Sequence, residues 1–334
     1  MKLIIPMAGR GTRLRPHTHT TPKPLLPIAG RSMIERIVAT FAKTLHQPIE
    51  EIAFVLGDFG TAVEEELRGL SRKFGAACSI YHQDKALGTA HAVYCAADSM
   101  QGEVIVAFAD TLFESKAKVD VGGADAAIWL KEVENPSSFG VARMEGDRIA
   151  GFVEKPKEPV SNLAIIGVYY FRKGEDLRAE LAHIIDNDIK SPRGEYELTD
   201  AIEALLEKGN VFKPATVDTW LDCGTIQSWI DTTTHVLRHS ATPPETITHE
   251  NCTFTAPVFV GENVVLKNCH IGPDVAIEAG AKVEDSTLHS SILNAGSHVA
   301  DSRLENSSVG AHAAIRGYKG RLHVGDHSKV GQDQ

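Results

Sequence analysis

Hydrophobic positions follow two rhythms along this chain, and the change between them divides it. Up to residue 236, short apolar runs alternate with segments whose apolar residues recur at helical spacing. Leu3–Met7 precedes Met33, Ile34, Ile37, Val38 and Phe41; Ile52–Leu56 precedes Val63, Leu67 and Leu70; Ala77–Tyr81 precedes Ala90, Val93, Tyr94 and Ala97; Val104–Phe108 follows. Such alternation predicts an α/β domain with a Rossmann-like, mainly parallel sheet, ligands gathering at the carboxyl ends of its strands. Ala126–Leu130, Ile149–Val153 and Ile165–Phe171 extend the sheet with more antiparallel character.

Near His239–Glu245 the pattern lapses, which places a linker over 237–250. From 251 to 334 apolar residues return every five or six positions: Val260, Leu266, Ile271, Ile277, Val283, Leu288, Leu293, Val299, Leu304, Val309 and Ile315, then Val324 and Val330 after a break. Glycine directly follows five of them, at Gly261, Gly272, Gly310, Gly325 and Gly331. This hexapeptide repeat predicts a short β-helix of roughly three or four coils, each turning apolar residues onto an inner stack. A sandwich would instead show longer, strictly alternating strands.

Composition narrows the picture. The 334 residues carry a net charge of −10, which disfavours a nucleic-acid partner and suits a small anionic ligand at any local basic cluster. No stretch approaches the roughly 20 apolar residues of a membrane span, so a cytoplasmic protein is expected. The five cysteines are scattered without a CxxC pair, which suggests neither a disulfide framework nor a zinc site.

A basic cluster does exist. After Leu3–Met7 come Ala8, Gly9, Arg10, Gly11, Thr12, Arg13 and Arg15, then Lys23 between Pro22 and Pro24. Glycines let backbone amides close on an anion, while Arg13, Arg15 and Lys23 neutralise it. The third glycine of a dinucleotide fingerprint and the Gly-Lys-Ser/Thr of a Walker loop are both missing. The flanking prolines predict an extended Lys23. Asp110 ends the apolar run from Val104, and Asp222 lies shortly before a helix; each suits Mg²⁺ shared with phosphate, although Asp222 also reads as a helix cap. Gln83 and Gly88-Thr89 follow a strand and can read a base edge, and His91 reads as packing. Glu154-Lys155 offers an acceptor for sugar hydroxyls beside a cation for phosphate, or else a solvated charged turn.

The ordered segments Gly9–Pro16, Pro22–Leu25, Leu87–Ala90, Ala109-Asp110, Phe139–Val141, Val153–Pro156 and Trp220–Thr225 resemble those of the sugar-1-phosphate nucleotidylyltransferases. Several branches of that family append a left-handed β-helix, so the resemblance spans essentially the whole chain. It implies a catalytic domain over 1–236, a linker over 237–250 and a left-handed β-helix over 251–334. It implies a nucleoside triphosphate and a sugar 1-phosphate as substrates, with Mg²⁺ on Asp110 and Asp222. Ala8, Gly9, Gly11, Thr12, Arg13, Gln83 and Gly88 would bind nucleotide; Gly140, Glu154, Lys155 and Gly167 would line the sugar phosphate site; Arg13, Lys23, Asp110 and Asp222 would be catalytic. Glucose 1-phosphate with dTTP or UTP is favoured, and Pro6 with Leu87-Gly88-Thr89 leans toward uridylyl-type relatives. The alternatives are guanylyl transfer to mannose 1-phosphate, a second acyltransferase activity using His270, His289, His298 or His312, and a non-catalytic nucleotide-sugar sensor. The β-helix is expected to stack on the catalytic domain or on another subunit, giving a homo-oligomer.

Overall fold

The computed structural model describes residues 1–115, 118, 121–156, 158, 160–240 and 248–331. Its contacts fall into two compact units: residues 1–9 with 37–220, and residues 10–36 with those from Leu221 onward. The change of rhythm near residue 240 lies inside the second unit, and residues 241–247 of the expected linker lie outside the described residues.

The first unit is built on β1 (Lys2–Pro6), α1 (Met33–Thr44, from Ile37 on), β2 (Glu51–Leu56), α2 (Thr61–Lys73), β3 (Ala77–His82), α3 (Thr89–Tyr94) and β4 (Val104–Ala107). The four strands pair in parallel in the order β3-β2-β1-β4. β1, β2 and β4 read as near-continuous apolar runs because a parallel strand between helical layers is buried on both faces, whereas the edge strand β3 is only partly buried. β5 (Ala126–Glu132), β6 (Gly140–Glu145), β7 (Arg148–Glu154), β8 (Leu163–Phe171), α4 (Gly174–Asp186), α5 (Leu198–Glu207) and β9 (Phe212–Thr216) complete the unit. β8 runs antiparallel to β4, β5 and β6, and β9 joins β5 in parallel. Strand order reverses between β1 and β4, so a crevice opens where Met7–Gly9 and Phe108–Asp110 leave them. Beneath it Ile4, Val55, Val93, Val106, Ile128 and Leu177 are fully buried.

In the second unit, α6 (Ile226–Ser240) precedes a left-handed β-helix of three parallel sheets with six, five and five strands. The ladder is longer than expected: five full coils, and Lys329–Val330 opening a sixth. The repeat under-reports them because pairs such as Thr253-Phe254 and Lys319-Gly320 turn no regularly spaced aliphatic inward. Stacked Leu266, Val283, Val299 and Ile315, with Ile277 and Leu293, form the inner column. At one corner Asn251, Asn268, Asp285 and Asp301 all take positive φ of 47–52°. Asn251 Nδ2 donates to Asn268 Oδ1 at 3.0 Å and Asn268 Nδ2 to Asp285 Oδ1 at 2.8 Å, so these residues brace one another.

Candidate active site

The triphosphate loop predicted from the sequence belongs to the second unit from Arg10 on. Gly11 has φ 58°, the left-handed conformation, and leads a 3-10 turn over Thr12–Leu14 closed by Leu14 N–H to Gly11 O at 2.9 Å. The first amides of such a turn have no partner within it and point outward, the geometry an anion needs. A Cβ on Gly11 would stand 3.0 Å from Lys23 Cβ and 3.2 Å from Thr18 Cγ2, so glycine also lets the loop close over the Lys23 stem. Lys23 itself is buried and begins a 3-10 turn, Lys23–Leu25, rather than an extended segment. The bias of a residue before proline is outweighed there by two successive turn hydrogen bonds, Leu25 N–H to Pro22 O and Leu26 N–H to Lys23 O, at 2.9 and 3.1 Å.

Asp222 is not the helix cap. Thr225 caps α6, its hydroxyl accepting from Ser228 N–H at 3.1 Å, while Asp222 Oδ1 accepts from Gly224 N–H at 3.0 Å. A Cβ on Gly224 would fall 3.0 Å from Asp222 Oδ1 and 3.2 Å from an Arg13 guanidinium nitrogen. The cation of the loop and the second aspartate therefore flank one glycine.

In the first unit, nothing lies within 4 Å of a Cβ built on Gly9, beside Ala8 at the mouth of β1. Gln83 Nε2 donates to Gly88 O at 3.2 Å and meets His91 Nδ1 at 3.1 Å, which brings these three residues together at the start of α3. Gly88, at φ 116°, is required by packing as well: a Cβ would come 2.7 Å from Tyr196 N. His91 is half-buried, and burial lowers its pKa.

Across the crevice, Gly140 pairs with Glu154, and a Cβ on it would reach Glu154 Oε2 at 2.8 Å. Lys155 is left-handed at φ 43°, pinned by its N–H to Phe139 O at 3.1 Å, with its ammonium 3.4 Å from Glu154. Gly167 sits at φ 79° where β8 shifts register, and its carbonyl accepts from Phe108 N–H at 2.9 Å, two residues before Asp110. Burial, then the carboxylates of Glu154 and Asp110, push the Tyr169 hydroxyl pKa up. Burial followed by Glu197 and Glu154 likewise raises Asp200.

Two residues escaped the sequence reading. Arg193 lies 2.7 Å from Glu197 and 3.7 Å from Glu154, a cation among these acids with no motif to announce it. Trp220 packs edge-on against Phe139 at 5.1 Å, and its buried Nε1–H has no protein partner among the described residues. Its place directly before Leu221-Asp222 was the available signal.

Asp110 in the first unit and Asp222 in the second each offer hard oxygen donors of the kind a cation that keeps water and substrate ligands takes, and no closed cluster of three or more metal-binding side chains occurs among the described residues. The β-helix histidines do not converge: His270 and His289 lie on one sheet, His298 on another beside Glu284 at 3.2 Å, and His312 stacks on His327 at a corner.

The family described as Nucleotidyl transferase matches residues 2–239. The chain belongs to this family. Nucleotidyl transferases of this kind generally work with a divalent metal. A glucose-1-phosphate thymidylyltransferase of Streptomyces antibioticus is 30% identical over 99% of both chains. A Methanococcus maripaludis bifunctional protein GlmU is 31% identical, covering 80% of this chain and 62% of its own length. Among solved structures, a Bacillus anthracis chain provisionally assigned as a glucose-1-phosphate thymidylyltransferase, in complex with sucrose, is 27% identical with a TM-score of 0.59, over 73% of this chain and 97% of that one. No helix among the described residues is long and apolar enough to cross a membrane.

Proposed function

We propose that this nucleotidyl transferase joins a pyrimidine nucleoside triphosphate, dTTP or UTP, to glucose 1-phosphate, releasing pyrophosphate and forming a nucleoside diphosphate sugar. The observation that carries the reading is end-to-end similarity, β-helix included, to a glucose-1-phosphate thymidylyltransferase. An oxygen of the sugar phosphate attacks the α-phosphorus in line while the α–β phosphoanhydride bond breaks. That oxygen is already anionic at neutral pH, so no general base or covalent enzyme intermediate is needed, and catalysis rests on positioning and charge neutralisation.

Each half of the substrate pair has its residues. The turn from Gly11 to Leu14, with Ala8, Gly9, Arg13 and Lys23, receives the triphosphate; Gln83 and Gly88 read the base. Lys155 holds the incoming phosphate, and Glu154, Gly140 and Gly167 line the sugar, with the Trp220 N–H as a donor to a sugar hydroxyl. The metal is Mg²⁺, with Asp110 and Asp222 as its protein ligands; when bound it neutralises phosphate charge. The chain is cytoplasmic and works as a homo-oligomer through β-helix faces not covered by α6, which light scattering on the purified protein would test.

Pyrophosphate release from dTTP, UTP, CTP, GTP and ATP, each against glucose, galactose, mannose and N-acetylglucosamine 1-phosphates with Mg²⁺, tests the reading. The pyrimidine nucleotides with glucose 1-phosphate should give the highest kcat/KM. Absence of turnover in every pair would overturn it.

A further inference from the structure

One face of the β-helix differs from the other two. Its outward residues form a stripe in register, Phe259, Ala276, Ile292, Ser308 and His323, one per coil. Ala276, Ile292 and Ser308 are fully buried although they point away from the inner column. They are covered within the second unit by α6 and by residues 10–36, the same segment that carries Arg13 and Lys23.

The anchors are specific. His17, two residues after Arg15, is fully buried; its Nε2 is hydrogen-bonded to Ser308 Oγ at 2.7 Å, and Ser308 Oγ to His323 Nδ1 at 2.9 Å. The other ring nitrogen of His17 has no partner among the described residues, which leaves Ser308 as the hydrogen-bond partner found for the imidazole. Its ring packs edge-on against Trp229 of α6 at 5.1 Å. Asp326 accepts from the hydroxyls of both Thr20 and Thr21, and its Oδ1 accepts from Ala311 N–H at 2.7 Å. Farther along, the tip of the Pro27–Ser32 hairpin rests on the stripe: a Cβ on Gly30 would fall 2.8 Å from Phe259 Cε2, and Gly30 N–H donates to Glu278 at 3.0 Å. A segment rich in turns, with little helix of its own before Met33, thus has its place dictated from outside at three levels of the solenoid.

We propose that this stripe is a positioning platform for the triphosphate loop, Ser308 acting through His17 and Asp326 through Thr20 and Thr21 to hold Arg13 and Lys23 where the nucleotide phosphates bind. The proposal rests on the triphosphate reading of that loop. Cutting Ser308 back to alanine leaves a buried imidazole without its hydrogen bond and frees the turn from Gly11 to Leu14 without touching a substrate contact.

The full chain carrying Ser308→Ala, Ser308→Thr or Ser302→Ala tests it. Ser302 braces a different part of the same β-helix, donating to Ala300 O and accepting from Tyr318 N–H at 2.7 and 3.1 Å, and so controls for loss of solenoid stability. Ser308→Ala should raise KM for the nucleoside triphosphate about tenfold, with KM for the sugar phosphate moving less than about twofold. Ser308→Thr, which keeps the hydroxyl, should stay close to wild type in nucleotide KM, and so should Ser302→Ala. Hydrogen exchange of the amides at residues 11–15, read without substrate, should quicken in Ser308→Ala alone. Unchanged exchange in Ser308→Ala, or equal acceleration in Ser302→Ala, would overturn the platform. Faster exchange together with an unaltered nucleotide KM would instead keep the platform and overturn the triphosphate reading of the loop.

Discussion

The sheet unit and the β-helix both use left-handed backbone, and to opposite ends. In the β-helix it recurs at coil spacing, as at the corner of Asn251, Asn268, Asp285 and Asp301, where short polar side chains tolerate it and the first three bond to one another along the stack. In the sheet unit it is not periodic: it falls at turn glycines such as Gly60, Gly75 and Gly102, and also where Gly88 precedes α3, Gly167 marks the register shift in β8 and Lys155 follows β7. Periodic left-handed residues are architecture. A solitary one on a long side chain such as Lys155 costs about 1 kcal/mol or more, and its neighbours must compensate. Here the neighbours are the Phe139 carbonyl, which holds the backbone, and Glu154, which pairs with the ammonium.

This contrast can be broken by four substitutions with effects that run from large to small. Asp110→Ala should reduce turnover about a thousandfold with an unchanged circular dichroism spectrum, since it removes a proposed metal ligand; retention of more than about a tenth of the rate would remove Asp110 from the proposed metal site. His17 probes the second unit. Burial lowers its pKa to about 4 from 6.5, with Asp326 opposing and His323 adding to the effect. Between those values the unfolded chain binds the extra proton, so stability should fall by about 3 kcal/mol as pH drops from 6.5 through 4. Urea titrations of His17→Gln should lose that slope, and an unchanged slope would show that other groups carry it. Lys155→Gly should lower kcat/KM for the sugar phosphate about thirtyfold while leaving thermal stability equal or higher, because glycine relieves the left-handed backbone. Asn268→Ala should do the reverse on the smallest scale, costing about 1 kcal/mol of stability and leaving kcat/KM alone. If both substitutions at left-handed positions affect activity and stability alike, the division between architecture and site fails.

Much of the fold could be read from residue spacing because each element buries its own face locally. β1, β2 and β4 are apolar runs flanked by helices, and the inward residues of the β-helix recur at a fixed interval, so both patterns lie within short windows. The partition into contact units was not legible. Nothing in residues 10–36 states that they pack with a solenoid hundreds of positions later; Ala276 and Ile292 point outward and look like ordinary apolar surface until their cover is seen. The motif residues of the site were visible where glycine, proline and charge crowd together, as around Gly11 and Asp222. Arg193 was not, since its meaning comes from Glu154 and Glu197, each brought to it by the fold. Lys23 shows a subtler failure. A local steric bias named its backbone, and hydrogen bonds of the following turn decided otherwise.

The stripe has a consequence for how such a chain can lengthen. Phe259 and Ser308 are three rungs apart, and rungs of a parallel stack are spaced by about 4.8 Å. Solenoids generally gain or lose a coil at little cost because each coil touches only its neighbours. Here an extra coil between Phe259 and Ser308 would carry one anchor of the N-terminal segment a full rung away from the other, while a coil added beyond Asp326 would disturb none of the anchors. The β-helix is a ruler read at fixed marks, free to grow only past its last one.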